Sequence, residues 1–164
     1  MGDQEMSEPQ IEVRAVPEQH VARLEAFAPR MGPEFVGPVV GPLFGQVPAL
    51  LDAAGVPVAG PPLGVYEAAA EGEPGAVRIV VAFPVAADVT EVPGLDVGTL
   101  PGLERAAVLV HHGGPDTLGA AWMAYLDRLA AEGYDTTSHS REVYVSPPDV
   151  PEHEWDTLLV VQLR

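Results

Sequence analysis

The residues best suited to bind a ligand are a glutamate and a tyrosine two positions apart. Glu142 and Tyr144 lie in the segment Arg141–Val145, whose composition predicts a short β-strand. Residues two apart in a strand point to the same face of the sheet, so the carboxylate and the phenol ring should lie side by side. A partly buried carboxylate gains by pairing with a cation, and an aromatic ring adds a cation–π attraction of about 0.5–2 kcal/mol. The pair therefore predicts contact with a flat, positively charged molecule.

An internal repeat places a second tyrosine near this pair. Gly64 and Tyr66 precede Glu142 and Tyr144 by the same number of residues, so the two strands hold equivalent places in two halves of the chain. Three other pairs of segments keep the same order, namely Ile11–Pro17 with Leu95–Pro101, Leu50–Gly55 with Leu129–Gly133, and Val77–Phe83 with Asp156–Gln162. A pseudo-twofold axis would bring Tyr66 towards Glu142, and Gly64 would leave space opposite the carboxylate.

The elements that must position these residues follow from the same repeat. Each half is predicted to contain a strand, a helix and two further strands, which gives an α+β fold of two βαββ repeats with antiparallel sheets. The first repeat covers about residues 10–85 and the second about 95–164. A helix is predicted over Leu118–Glu132, because apolar side chains recur at helical spacing at Leu118, Trp122, Leu126 and Leu129. Its counterpart, about Val40–Ala54, is the weaker helix, since Pro48 lacks a backbone N–H and would start or kink it.

Aromatic side chains on these helices could add ring surface to the same site. Trp122 and Tyr125 lie near one face of the second helix, and Phe44 lies at the corresponding place in the first. Packing in the hydrophobic core is the simpler explanation for all three. The candidate ligand contacts are, in falling order, Glu142, Tyr66, Tyr144, Trp122, Tyr125 and Phe44. The alternative for Glu142 is an ion pair with Arg141 or another base at a sheet edge.

The remaining polar motifs do not predict a metal or cofactor site. His111 and His112 are adjacent and would face opposite sides of a strand, and no group of histidines has the spacing of a zinc site. The chain has no cysteine, which leaves no thiolate nucleophile and no Cys-based metal site. No phosphate-binding glycine motif occurs in it. We therefore expect neither a metal nor a cofactor.

Length, charge and composition indicate a single domain in the cytoplasm. The 164 residues fit one domain, expected over residues 10–164 after a flexible tail at 1–9, and a mean hydropathy of +0.13 excludes a disordered chain. Twenty-four acidic against eight basic residues give a net charge of −16, which disfavours nucleic acid and anionic membranes as partners. The polar start is unlike a targeting peptide, and no apolar run approaches the roughly 18 residues of a membrane span.

The second half carries a recognisable order of motifs. These are Val108-Leu-Val-His-His-Gly-Gly-Pro115, the helix holding Trp122, Glu-Gly-Tyr134 and Arg141-Glu-Val-Tyr144. The order resembles the GyrI-like family, a module that also forms the effector-binding domain of BmrR-type and Rob-type transcription regulators. The resemblance extends from about Gln10 to Leu163. It implies two curved antiparallel sheets, one helix per half and a ligand pocket between the halves.

The resemblance also implies a function and leaves alternatives open. In the regulators the pocket binds bulky aromatic, often cationic compounds, with a buried glutamate at the motif position of Glu142. The regulators carry a preceding helix-turn-helix segment, for which the length and acidity here leave no room. We therefore expect a stand-alone protein for multidrug-type sequestration or sensing, without direct DNA binding. Some relatives hydrolyse reactive cyclopropane-bearing aromatic toxins, so Glu142 could instead be a general base. A third alternative is an acidic inhibitor of DNA gyrase.

Overall fold

Eight strands and two helices make up the part of the chain that the computed structural model describes, residues 9–69, 74–147 and 149–164. The strands are β1 Glu12–Val16, β2 Gln19–Ala28, β3 Leu63–Ala68, β4 Val77–Pro84, β5 Asp96–Leu100, β6 Leu103–His112, β7 Thr136–Tyr144 and β8 Asp156–Leu163. The helices are α1 Pro33–Ala53 and α2 Leu118–Ala131. The predicted α+β class is confirmed. Except for Pro9, the predicted tail lies outside the described residues.

All of these strands form one antiparallel sheet, in the order β1-β6-β8-β7-β3-β4-β2-β5. The order is symmetric about its centre, so that exchanging the halves places β3 on β7 and β4 on β8. The predicted βαββ repeats are β2-α1-β3-β4 and β6-α2-β7-β8. One further strand precedes each repeat and pairs with the other half. Where the resemblance implied two sheets, the pairing of β3 with β7 joins the halves into one.

The two helices differ in how well the sequence predicts them. α2 spans Leu118–Ala131, close to the predicted range, and the chain leaves it at Gly133 with a φ of +83°. α1 begins earlier than predicted, at Pro33, and holds Pro38, Pro42 and Pro48 inside the helix. The predicted start near Val40 was wrong. Interior prolines normally interrupt a helix, but α1 continues through all three of these.

By length and composition α1 could also cross a membrane. Its residues Glu34–Ala53 have a mean hydropathy of 1.3. The sequence shows no uninterrupted run of large apolar side chains there, because glycines and prolines alternate with them. The helix packs against β2 and β4, with Val47 and Leu51 buried. Only 11% of this stretch is buried, so burial in the core does not account for its apolar composition, and one such helix is weak evidence of a membrane span.

The sheet is covered differently on its two faces. On the helix face, α1 and α2 pack over separate apolar clusters, centred on Val47 with Val81 and on Leu129 with Leu159. On the far face, side chains of the strands pack on one another, and Val143 contributes to both clusters there. Successive residues of β7 alternate between these faces. The two faces of this central strand therefore meet two different environments.

Candidate functional site

Glu142 is the centre of a hydrogen-bonded cluster on the helix face. Its Oε1 accepts a hydrogen bond from the hydroxyl of Tyr144 at 2.5 Å, and its Oε2 accepts one from the indole N–H of Trp122 at 2.5 Å. The hydroxyl of Tyr66 lies within hydrogen-bonding reach of both Glu142 and Tyr144. We call these four side chains the Glu142 cluster. Three of the predicted contacts thus surround the predicted counter-charge.

The register of the two central strands produces this arrangement. Glu142 of β7 lies directly opposite Gly64 of β3, and Tyr66 follows two residues later on the same face. The ring of Tyr66 leans back over the glycine: a Cβ atom at Gly64 would lie 2.7 Å from the Tyr66 hydroxyl oxygen. The space expected opposite the carboxylate is therefore filled by this ring.

Each helix contributes one ring beside the carboxylate. Trp122 reaches the site from α2, while Phe44 reaches it from α1 and meets the Tyr144 ring edge-on, with centroids 5.2 Å apart and an interplanar angle of 85°. Phe44 also lies against Phe83 of the core, with centroids 6.2 Å apart. Glu142, Tyr144, Trp122 and Phe44 are all partly exposed. The cluster therefore lies at a partly exposed edge of the helix face, with Tyr66, at 6% exposure, as its buried member.

Tyr125 occupies a different place from the other predicted contacts. Its ring lies beside that of Trp122, with centroids 5.9 Å apart, but the residue is only 2% exposed. Its hydroxyl has no hydrogen-bond partner among the described residues. Burial raises the pKa of this hydroxyl above its ordinary range. Tyr125 packs in the core behind Trp122, which is the simpler explanation that its helical spacing allowed.

Glu142 is the only member of the Glu142 cluster that carries a charge. Burial raises the pKa of the Tyr66 and Tyr144 hydroxyls, and the negative charge of Glu142 raises both further. Both phenols therefore stay protonated at neutral pH and act as donors. Within the described ranges, no arginine or histidine forms an ion pair with Glu142. The cluster presents a carboxylate whose charge is met by neutral donors alone.

The alternative in which Arg141 pairs with Glu142 is wrong, because neighbouring residues of β7 point to opposite faces. On the far face, Arg141 Nε donates to Nε2 of His139 at 2.8 Å, and its Nη2 donates to the carbonyl of Pro101 at 2.8 Å. Arg141 was not predicted as a buried polar group with partners of its own. Its signal was the alternation along β7, which places His139, Arg141 and the apolar Val143 on one face.

The other histidines are dispersed. His111 Nε2 lies 2.8 Å from the Thr117 hydroxyl, and His112 Nδ1 lies 2.9 Å from a carboxylate oxygen of Asp156. Across the residues described, no group of three or more histidine, aspartate or glutamate side chains is arranged to hold a metal ion.

Comparison with known proteins gives one family and several structural neighbours. The model of the GyrI-like small molecule binding domain matches residues 9–164. The EcmrR C-terminal domain is 17% identical, with a TM-score of 0.68 over 96% of this chain and 99% of that chain. SAV2435 bound to tetraphenylphosphonium is 10% identical, with a TM-score of 0.71 over 94% of each chain. A hydrolase from Listeria innocua is 15% identical, with a TM-score of 0.54 over 99% of this chain and 96% of that chain. No curated protein matches the sequence.

Proposed function

Because this chain belongs to the GyrI-like small-molecule-binding family, we propose that it binds hydrophobic, cationic aromatic molecules at the Glu142 cluster, for sequestration or sensing. The observation that carries the proposal is the Glu142 carboxylate, which is ringed by aromatic side chains and has neutral donors as its partners. A cation placed there would meet opposite charge and ring surface together.

The bonding capacity of the carboxylate supports this proposal. A carboxylate offers about four lone-pair directions, so the donors Tyr144, Trp122 and Tyr66 leave about one of them for a cation. The bonds from Tyr144 and Trp122 also hold the carboxylate in one orientation, which lowers the entropy lost on binding. The net charge of −16 would raise the local concentration of cationic ligands. The bound tetraphenylphosphonium in the structural neighbour SAV2435 is a ligand of the same chemical class.

A fluorescence titration with rhodamine 6G, a planar cationic dye, tests the proposal. Glu142→Gln should weaken saturable binding by about tenfold or more, because it removes the counter-charge while keeping an oxygen acceptor. Glu104→Gln, an exposed carboxylate on β6, makes the same change in net charge away from the cluster and should bind like the wild type. Equal affinity in all three proteins, or no saturable binding in the wild type, would overturn the assignment of Glu142.

A hydrolase is the second candidate, and one observation favours it. The hydroxyls of Tyr66 and Tyr144 lie beside the same carboxylate, so one site holds a general base and two donors. For a cyclopropane conjugated to a carbonyl group, Glu142 would take a proton from water as the water oxygen bonds to a ring carbon. The ring C–C bond breaks and its electron pair moves to the carbonyl oxygen, to which a tyrosine donates a hydrogen bond, and the proton passes from Glu142 to this oxygen. One structural neighbour is a hydrolase from Listeria innocua.

Product analysis separates the two candidates. An aromatic compound bearing a reactive cyclopropane would be incubated with the wild type and with Glu142→Gln, and the products examined by mass spectrometry. Turnover predicts a product that has gained one water and that is absent with Glu142→Gln. Binding alone predicts recovery of the intact compound from both proteins.

A further inference from the structure

A second site lies on the far face of the sheet, behind the Glu142 cluster. A cavity of about 470 Å³ opens there between strands of both halves and the turn that joins β5 to β6. The charged and titratable side chains of its wall are Arg23, Glu67, Arg78, His139 and Arg141. We call it the Arg141 cavity. Its size falls within the range of about 300–1,000 Å³ that is usual for small-molecule sites.

Arg141 is the unusual member of this wall. The residue is only 2% exposed, and its guanidinium group carries five N–H donors. Nε and Nη2 donate to His139 and to the carbonyl of Pro101, but Nη1 has no hydrogen-bond partner among the described residues. A buried cationic donor without an acceptor is costly, so such groups are normally paired. The missing partner would have to be an acceptor.

The other charges of the wall are already paired. Arg23 forms an ion pair with Asp96 at 3.1 Å, and Arg78 pairs with Glu67 at 2.9 Å and also with Glu25. Glu25 and Asp96 do not line the cavity. Of the three arginines of the wall, Arg23 and Arg78 thus have a carboxylate in direct contact, and Arg141 has none among the residues described.

A neutral imidazole separates Arg141 from its nearest carboxylate. His139 accepts the Arg141 bond at Nε2, which requires its proton on Nδ1, and Nδ1 donates to Glu67 at 2.9 Å. Burial lowers the pKa of His139, and the charge of Arg141 acts in the same direction. Since the imidazole is uncharged, one positive charge on the wall remains without direct neutralisation.

The apolar residues of the lining match a ligand that also has an apolar part. Val65, Val80, Leu100 and Leu103 supply apolar surface around the arginine. Three of the eight basic residues of the chain line this one cavity, although the protein as a whole carries a net charge of −16. An anion in this cavity would pair with Arg141, since carboxylates already contact Arg23 and Arg78.

We propose that the Arg141 cavity binds a small organic carboxylate. The carboxylate pairs with the guanidinium of Arg141, which supplies the missing acceptor, and the apolar part packs against Val65 and Leu103. This site is opposite in charge preference to the Glu142 cluster and lies on the other face of β7. It does not rest on the function proposed for that cluster.

The test uses benzoate as the probe and benzamide as its uncharged counterpart of the same shape. Nuclear magnetic resonance of the arginine Nε–H groups in the ¹⁵N-labelled full chain follows each arginine separately. Benzoate should shift the Arg141 signal in a saturable manner, while benzamide should leave it in place. Arg141→Met should weaken benzoate binding at least tenfold, whereas Arg105→Met, which removes an exposed arginine of β6, should leave it unchanged.

Several outcomes would overturn the proposal. Equal shifts with benzoate and benzamide would show that the cavity does not distinguish a carboxylate from an uncharged amide. Benzoate shifts confined to exposed arginines would show that benzoate binds at the surface. If phosphate or chloride shifted the Arg141 signal as strongly as benzoate, the cavity would take inorganic anions and the assignment to organic carboxylates would fail. The comparison of the two probes in the wild type decides the question even if Arg141→Met does not fold.

Discussion

Among single residues, the closest approach in the Glu142 cluster is that of the Tyr66 ring to the backbone of Gly64. A Cβ atom there would lie 2.7 Å from the hydroxyl oxygen and 3.0 Å from Cζ of this ring. Gly64→Ala must therefore displace Tyr66, and we expect a loss of about 1–3 kcal/mol in the free energy of unfolding together with weaker dye binding. Thermal unfolding and the rhodamine titration measure these two effects.

Gly98→Ala is the matched control for this change. Gly98 lies in β5, and a Cβ atom there would meet only an Arg23 nitrogen at 3.5 Å, an ordinary contact. Its stability and affinity should stay close to those of the wild type. If Gly64→Ala behaved in the same way as Gly98→Ala, the Tyr66 ring would have room to move and would not be fixed against β3.

The partly buried His139 of the far face makes stability depend on pH. Burial lowers the pKa of His139; the hydrogen bond to Glu67 opposes this shift and the charge of Arg141 adds to it. An unfolded histidine titrates near pH 6.5, so below about that pH the unfolded chain takes up a proton that the folded chain resists. The free energy of unfolding from this group is therefore fully present above about pH 6.5 and decreases as the pH falls towards the lower folded pKa.

Melting temperatures between about pH 7.5 and 5.5 test this linkage, since the range spans the ordinary histidine pKa. His139→Gln should flatten the decrease because glutamine does not titrate. His153→Gln removes a histidine that is 82% exposed and should keep the wild-type slope. A wild-type slope that survives in His139→Gln would assign the acid sensitivity to other groups.

The sequence predicts those parts of the site that follow from strand alternation and the internal repeat, and not those that depend on how distant elements pack together. The alternation along β7 brings Glu142 and Tyr144 to one face, and the internal repeat places Tyr66 on the same face of the neighbouring strand β3. Both placements follow from patterns in the sequence. The bond from Trp122 to Glu142 depends on how α2 docks on the sheet. The bond from Arg141 to Pro101 depends on the turn between β5 and β6. No local pattern encodes either of these two placements.

Among the elements, α1 holds three interior prolines, two of which follow a glycine. Gly37 and Gly41 directly precede Pro38 and Pro42, whereas Pro48 follows Val47. A proline ring normally clashes with the Cβ atom of the preceding residue when that residue is helical, and glycine has no Cβ atom. In the sequence, Pro48 marked this as the weaker helix, and the predicted range, about Val40–Ala54, is shorter than α1. The apolar stripe of α2 carries no such conflict, and its range was predicted closely.

Two alanine substitutions in α1 separate these effects. Gly45 is followed by glutamine, and a Cβ atom there would have nothing within 4 Å, so Gly45→Ala should raise the free energy of unfolding by about 0.5–1 kcal/mol. Gly41→Ala would set its Cβ against the ring of Pro42 and should give no gain or a loss. Urea denaturation of both variants measures the difference. Equal stabilisation by both would show that the prolines do not need the glycines.

For the whole molecule, the decisive feature is that the halves exchange their first strands. β1 pairs with β6 of the second half, and β5 pairs with β2 of the first half. The repeat predicts the elements of each half but not this exchange, because an antiparallel strand can form its hydrogen bonds with either half. The pairing of β3 with β7 adds a third connection between the halves. Together these connections argue that residues 10–164 form one cooperative unit.

Dividing the chain in the segment between β4 and β5 tests this cooperativity. Fragments 1–90 and 91–164 would each lack the partners of an exchanged strand and of a central strand, leaving unpaired edges and an incomplete core. We expect neither fragment alone to show a cooperative thermal transition by circular dichroism, and we expect an equimolar mixture to recover the transition and the dye binding of the intact chain. The intact chain should unfold in a single transition. A sigmoidal transition in either isolated fragment would mean that this half folds by itself, and the exchanged strands would then be contacts between two domains rather than parts of one.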